Sequence, residues 1–556
     1  MKLKNYAEGR WVEHKGAGFE QYNAITGDLI STASSEGLDY EAMTDYARRI
    51  GGKALRSMTF YERGFMLKKL ALHLDTLKKK YYQISYLSGA TKSDSWVDID
   101  GGIGTLFTYA SLRRQLGNQR FYVDGDTAKI SKNNTFVGQH IMSPKQGVVV
   151  HINAFNFPIW GMLEKLSANL IAGVPAIVKP SEITSYLTQA MVEDIIASGI
   201  VPEGAIQLDC GKGHGILDTL GSQDLVTFTG SATTGRMLKS LPHIIENSIP
   251  FNMEADSLNA AILGEDSAPG TANFDIFIKE VRREMTTKAG QKCTAIRRIM
   301  VPENYLEDVQ IALGKSLAQT TIGDPANEKV RMGAIVNKSQ VDVVRNRVLE
   351  MSQKTPIVFG DLDKFEVIGA DANKGFFLPP ILMLNENPLI NTDSHDIECF
   401  GPVSTLMPYT GIEEAITLAK MGKGSLVSTI ATSDVNIATE YAIEAASYHG
   451  RILILNEASA PESTGHGSPM PQLMHGGPGR AGGGEELGGI GSVKHYLQRT
   501  ALQGHPSMLT EITQRYQYGG VYKEKDIHPF RKYFEDLEIG DTVITAKHTI
   551  TVADIV

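Results

Sequence analysis

Cysteine is scarce in this chain: Cys210, Cys293 and Cys399 are the only three in 556 residues. They are too few and too scattered for a disulfide framework or a metal site of recognised spacing. A reducing cytoplasm is therefore the expected location, and no metal is expected. No run of about 20 apolar residues exists, which argues against a helical membrane span. The first ten residues, Met1-Lys2-Leu3-Lys4-Asn5-Tyr6-Ala7-Glu8-Gly9-Arg10, lack the apolar core of a signal peptide. Positive charge is in deficit as well, with 54 Lys and Arg against 63 Asp and Glu and a net charge of −9. A general nucleic-acid surface needs clustered basic residues and is not expected. What is present is ample core material: 42% of the residues are hydrophobic, enough for several domains.

The pattern along the chain is that of alternating strands and helices. Residues 39–90 are rich in helix formers, with apolar positions at helical spacing in Phe65-Met66-Leu67-Lys68-Lys69-Leu70-Ala71-Leu72, and read as two helices. Residues 118–143 read as a hairpin-like excursion, with Phe121-Tyr122-Val123 and Thr135-Phe136-Val137 flanking a turn-rich stretch. Gly147-Val148-Val149-Val150-His151-Ile152 has the unbroken apolar character of a buried parallel strand. Pro158 suits the first turn of the helix that follows, and Gly173 can end it. Ala176-Ile177-Val178-Lys179 and Asp224-Leu225-Val226-Thr227-Phe228-Thr229 repeat the strand pattern. The expected fold class is α/β, an open and mostly parallel sheet that binds ligands at its C-terminal strand ends. Residues 465–491 hold eleven glycines. A flexible linker is one reading. Leu473, Met474, Leu487 and Ile490 favour an ordered loop against a ligand or a neighbouring subunit. Residues 512–529 read as a hinge.

Three residues carry the chemistry. Cys293 lies in Thr287-Lys288-Ala289-Gly290-Gln291-Lys292-Cys293-Thr294-Ala295, after a Gly-Gln bend and before an expected helix. A thiolate there can add to a carbonyl. Glu254, at the end of an expected strand, can serve as a base for water. Asn156, in Asn156-Phe157-Pro158, can donate to an oxyanion or simply cap a helix. Taken singly, each is more often structural. The loop Phe228-Thr229-Gly230-Ser231 suits a phosphate at a helix N-terminus but lacks the Gly-x-Gly-x-x-Gly fingerprint. Lys179 and Glu182 follow a strand and can hold ribose hydroxyls. Six basic residues, Arg282, Arg283, Lys288, Lys292, Arg297 and Arg298, bracket the cysteine, as surface or structural residues or as an attraction for an anionic substrate.

Together these segments resemble the aldehyde dehydrogenase superfamily as far as about residue 505. Asn156-Phe157-Pro158, Lys179-Pro180-Ser181-Glu182, Phe228-Thr229-Gly230-Ser231, Gly290-Gln291-Lys292-Cys293 and Glu398 with Phe400-Gly401-Pro402 recur in the family's order. The resemblance implies Cys293 as nucleophile, Glu254 as base, Asn156 as oxyanion donor and Lys165 as a supporting lysine. It places Lys179, Ser181, Glu182, Phe228, Thr229, Gly230, Ser231, Glu398 and Phe400 at the cofactor. It implies a Rossmann-like cofactor domain (about 1–120 and 144–253), an α/β catalytic domain (about 254–450) and a β oligomerisation arm (about 121–143 and 492–510). A homo-oligomer built on dimers follows, with a hexamer among the options.

One departure narrows the resemblance. The family's usual Glu-Leu-Gly-Gly is replaced by Glu254-Ala255-Asp256-Ser257. That variant and the run His475-Gly476-Gly477-Pro478-Gly479-Arg480 resemble a branch from aerobic phenylacetate breakdown. In that branch an aldehyde dehydrogenase is joined to a MaoC-like, hotdog-fold hydratase that opens oxepin-CoA. The implied substrate is a CoA-linked semialdehyde, 3-oxo-5,6-dehydrosuberyl-CoA semialdehyde. Residues 526–556 resemble the start of the hydratase. Its catalytic residues would lie beyond Val556, so no ring opening is expected from this chain. The branch favours NADP, the expected cofactor, while Glu182 stands where NAD-using members carry a glutamate, which keeps NAD open. The alternatives are a CoA-linked semialdehyde dehydrogenase of the aerobic benzoyl-CoA type and an inactive scaffold with the same fold.

Overall fold

The computed structural model describes residues 1–521. Two seven-stranded sheets dominate it. The first has the order 251–254, 225–229, 149–152, 176–179, 206–208, 4–7 and 10–13. Its first five strands run parallel, and the N-terminal pair Lys4–Ala7 and Arg10–Glu13 adds an antiparallel edge. Val149 and Val150 are fully buried between parallel neighbours, as their unbroken apolar run requires.

The helix Pro158–Ala172 follows the central strand and carries the first part of the site. Pro158 sits in its first turn, and Gly173 ends it at φ +94°, a conformation that costs glycine little. Phe157, at the N-cap, offers no side-chain acceptor. The Asp98 carboxylate takes that role from another element, accepting from the backbone N–H of Ile159 at 3.0 Å and Trp160 at 2.7 Å. Burial pushes the Asp98 carboxyl up to about 7, against those two bonds and the charge of Lys288.

The second sheet has the order 357–359, 381–384, 403–409, 296–302, 259–263, 425–431 and 449–455. It is parallel except for the edge strand Ile357–Phe359. A three-stranded antiparallel arm, 497–504, 137–144 and 122–129, stands apart from both. Among the described residues, no helix is long and apolar enough to cross a membrane.

Local expectations and structure agree over most of the chain. Residues 40–57 and 60–88 form two helical runs, and Tyr122–Lys129 with Val137–Pro144 form the hairpin. Two readings change and a third, the ordered glycine-rich loop, gains detail. The segment after Cys293 is not a helix but the buried strand Ile296–Pro302; the helix Ala272–Thr286 precedes it. The β-branched and apolar content of Ile296, Ile299 and Val301 fills a central strand position. The glycine-rich stretch is ordered and includes two short paired strands, His475–Gly476 and Glu485–Leu487. The first part of the expected hinge is anchored: helix Pro506–Thr513 leads into Gln517, which is fully buried and bonded to Thr127 of the arm. The hydratase-like reading of 526–556 lies outside the described residues.

Candidate active site

The loop that carries Cys293 is held in a backbone path that the chain resists. Lys288, Ala289 and Gly290 are three consecutive left-handed residues, at φ +53°, +51° and +67°. Each non-glycine residue there costs roughly 1–2 kcal/mol, so neighbours must fix it. The Asp94 carboxylate accepts from the Lys288 N–H at 2.7 Å, and Lys288 Nζ donates to Ser88 at 2.9 Å. Arg297 ties two segments together, donating to the Gly401 carbonyl at 2.6 Å and the Gly290 carbonyl at 2.7 Å. A Cβ on Gly290 would lie 2.1 Å from the Gly401 oxygen, so only glycine permits this approach. The Asn259 amide donates to the carbonyls of Cys293 and Ala295 at 2.8 and 2.9 Å, fixing the turn into the strand.

This loop delivers Cys293, a half-buried residue, to a cavity of about 400 Å³. Asn156, from a loop of the first sheet, and Glu254, from one of its strands, line the same cavity, so the three residues singled out in the sequence converge on one space. Glu254 ends the strand Phe251–Glu254, in register with Thr229. The walls are otherwise largely apolar, with Trp96, Val97, Phe157, Trp160, Met470 and Pro471. The glycine-rich segment supplies the last two and His475.

The electrostatics are tightly interlocked. His475 Nε2 lies 3.0 Å from Glu254 Oε2, with both side chains buried. Burial would push the Glu254 carboxyl up, but His475, Lys165 and a hydrogen bond from Cys293 outweigh it and hold it well below the usual carboxylate range. The imidazole of His475 goes the other way: burial disfavours its charge, and Glu254 more than restores it, raising its pKa. Burial, then Glu254, push the Cys293 thiol well up. Lys165 is completely buried, 2.8 Å from Thr229 Oγ1, 3.1 Å from Glu164 and 3.3 Å from Glu486. Burial opposes its charge, and Glu486, Glu164 and Glu254 overcome that. Burial also raises the Glu486 carboxyl.

The residues assigned to the cofactor lie on loops at the C-terminal ends of the strands 176–179 and 225–229 and on the segment 397–402. Lys179 Nζ is 3.4 Å from Glu182 Oε2. Ser181 is partly exposed beside them. Phe228 is buried, and its ring would meet a Cβ on Gly230 at 2.8 Å or on Gly235 at 2.9 Å, which seats the loop closely on the helix Ala232–Lys239. Ser231 caps that helix through its hydroxyl. The first free helix N–H, of Ala232, is met by the Asp256 carboxylate at 2.7 Å. Glu398 is pushed up to about 7 by burial, opposed by Arg297. Phe400 packs edge-on against Phe155, at 5.8 Å between centroids, with the Arg297 guanidinium 5.6 Å above it. Thr229 belongs to both groups: its loop flanks the cofactor side, but its hydroxyl faces Lys165 in the cavity. These loops lie at the C-terminal ends of parallel strands, where an open sheet of this kind takes its ligands.

Of the six basic residues, Lys288, Lys292, Arg297 and Arg298 are buried. Lys292 is paired with Glu284 at 2.9 Å, and both arginines serve backbone carbonyls. Lys288 and Arg297 brace the loop, Arg298 ties Leu258 to the carbonyls of Leu418 and Ala419, and Lys292 lines the Cys293 cavity while paired with Glu284. Sequence reasoning gave no separate role to His475, Glu164 or Glu486. The signals were there. Glu164 and Lys165 interrupt an apolar helix face between Leu163 and Leu166, and charged residues in that position are rarely buried without a partner.

Comparison with known proteins places this geometry. Residues 11–501 match the Aldehyde dehydrogenase family. The 3,4-dehydroadipyl-CoA semialdehyde dehydrogenase of Aromatoleum evansii is 40% identical over 479 residues, covering 86% of this chain and 93% of that protein. Protein MaoC of Klebsiella aerogenes is 50% identical over 226 residues, 40% of this chain and 66% of that protein. The 31 residues from 526 to 556 cannot hold a match of that length, so most of it falls in the body of the chain. A solved NAD+ complex of an aldehyde dehydrogenase from Bacillus cereus shares the fold, with a TM-score of 0.77 over 91% of this chain and 97% of that one, at 23% identity.

Proposed function

The chain belongs to the aldehyde dehydrogenase family, and from that premise we propose that it oxidises a CoA-linked semialdehyde to the carboxylic acid through a thioester on Cys293. The observation that carries this reading is the convergence of Cys293, Glu254 and Asn156 on one cavity. Cys293 Sγ adds to the aldehyde carbon, and the Asn156 amide and the backbone N–H of Cys293 receive the oxyanion. A nicotinamide dinucleotide, bound along Lys179, Ser181, Glu182, Phe228, Gly230, Ser231, Glu398 and Phe400, supplies the hydride acceptor. Glu254 then takes a proton from water, which attacks the thioester and frees the thiol. Lys165 holds Glu486 and Glu164 and adds positive charge beside Glu254. In this reading residues 1–120 and 144–253 carry the cofactor, 254–450 the nucleophile, and 121–143 with 492–510 form the arm of a homo-oligomer.

The apolar walls suit the aliphatic end of an acyl chain, with the CoA portion outside the cavity. Two semialdehydes compete for this description. The variant at Ala255-Asp256-Ser257 favours 3-oxo-5,6-dehydrosuberyl-CoA semialdehyde. The 40% identity with the Aromatoleum evansii enzyme favours 3,4-dehydroadipyl-CoA semialdehyde. An assay that follows reduced cofactor with each semialdehyde and with NADP or NAD tests the proposal. Turnover of a CoA-linked semialdehyde with kcat/KM at least about tenfold above that of simple aliphatic aldehydes is expected, a difference of about 1.4 kcal/mol. Equal rates on both classes would refute the CoA assignment.

A further inference from the structure

His475 is the titratable group in the cavity that the thioester sequence leaves without a task. It sits on the short strand His475–Gly476, pinned antiparallel to Glu485–Leu487. Its Nε2 is 3.0 Å from Glu254, and the Cys293 sulfur, a Glu254 oxygen and a His475 nitrogen all lie within 4.8 Å of one another. A thiolate at Cys293 therefore forms beside an existing carboxylate in a buried space. Two like charges that close, removed from water, oppose ionisation of the thiol. Lys292 offsets this only in part, being paired with Glu284 at 2.9 Å.

We propose that His475 is the proton holder of the site: the thiol proton of Cys293 passes by way of the Glu254 carboxylate to the imidazole, leaving a thiolate and an imidazolium with Glu254 between them. The inference rests on Cys293 being the nucleophile. The S–H bond breaks and an N–H bond forms on His475. The carboxylate relays the proton and ends ionised, and the trio keeps its net charge, so no other reactant is needed. His475 acts through Glu254 and is a positioning residue. The other charges around the trio are Glu164 and Arg451 at His475, Lys165 at Glu254, Glu164 and Lys292 at Cys293, and Glu486, which feels both Glu254 and His475 and is itself raised to about 7 by burial. The raised pKa of the imidazole, set by Glu254 against burial, agrees with this role.

The test reads thiol protonation without aldehyde or cofactor, so it fails separately from the oxidation reading. Intact protein is treated with iodoacetamide across pH, and alkylation of the Cys293 peptide is followed by mass spectrometry. In the wild type, once the trio has lost one proton, the remaining one is shared between sulfur and imidazole. Alkylation should then rise between the ordinary imidazole value of 6.5 and the ordinary thiol value of 9.0. His475→Gln keeps a donor for Glu254 but cannot hold the proton. Its rise should move above pH 9, with reactivity at pH 8 lower by about tenfold for each unit of displacement. His475→Asn provides the same comparison, with folding checked by thermal melting. A variant that alkylates more slowly but keeps the wild-type inflection overturns the proposal, since His475 then only shapes the cavity. A wild-type profile that rises only above pH 9 overturns it without any variant.

Discussion

Replacing Gly290 with alanine separates two demands that the nucleophile loop makes on its backbone. Gly290 holds φ +67°, which costs alanine roughly 1–2 kcal/mol. The new Cβ also meets the Gly401 carbonyl oxygen at 2.1 Å, and backbone bounds the contact on both sides. Opening that approach to an ordinary 3.4 Å contact requires a retreat of 1.3 Å. Arg297 bridges these two carbonyls at 2.6 and 2.7 Å, so the retreat also breaks or stretches its clamp. Cys293 lies three residues on, and a reacting atom misplaced by about 1 Å costs about 10²-fold in rate. Gly290→Ala should therefore lower kcat/KM for the aldehyde by about two orders of magnitude, well beyond its loss of stability. Gly483→Ala is the matched control. Gly483 has φ +78° with nothing within 4 Å of an added Cβ, so it meets the backbone cost alone and should retain activity. Thermal melting and steady-state assays of both variants give the comparison. Equal activity in the two would refute the claim that the Gly290–Gly401 approach positions the nucleophile.

Other consequences follow from the same geometry. Glu254→Gln removes both the base for water and the relay for the thiol proton, and should slow thioester hydrolysis more than hydride transfer, giving a burst of reduced cofactor before a slow steady state in stopped-flow traces; a burst that falls in step with the steady rate would mean that the action of Glu254 on the thiol outweighs its action on water. Glu182→Ser removes a carboxylate from beside Lys179 and should shift the ratio of kcat/KM values toward NADP, since a carboxylate near the ribose disfavours a 2′-phosphate; an unchanged ratio places Glu182 away from the ribose. Asp98 is raised from 3.8 to about 7 in the folded chain, so its stabilising contribution is complete below about 4 and lost as pH climbs through 7. Asp98→Asn keeps an acceptor for Ile159 and Trp160, and its melting temperature relative to wild type should climb between pH 4 and 7; a flat difference would show that the carboxyl is ionised throughout.

The parallel sheets were legible because their signals are local. Val148-Val149-Val150 and Ala176-Ile177-Val178 are continuous apolar strands, and Pro158 and Gly173 mark the two ends of one helix. The misread segment after Cys293 shows the limit. Its apolar residues are compatible with either a helix or a buried strand, and only its place between the strands 259–263 and 403–409 decides the matter. The cysteine, the carboxylate and the amide were legible as residue types, but their meeting depends on Glu254 ending a strand of one sheet and Cys293 preceding a strand of the other. His475 was hidden for a related reason. It comes 221 residues after Glu254, in a stretch whose glycines signal backbone freedom and say nothing of an imidazole. The structural reading of the basic residues around Cys293 holds for four of the six, but their burial was not legible. Their charge suggested a surface, whereas Lys292 and Arg297 are buried because Glu284 and two backbone carbonyls await them.

The account stands most directly on a covalent bond at one sulfur. Glu254→Gln protein, mixed with a CoA-linked semialdehyde and oxidised cofactor and quenched in acid within the first turnover, should carry the acyl group of the substrate on Cys293, identified by the mass of that peptide, while Cys293→Ala carries none and forms no reduced cofactor. Reduced cofactor produced with no acyl adduct on Cys293, or turnover by Cys293→Ala at a rate near that of the wild type, would contradict it.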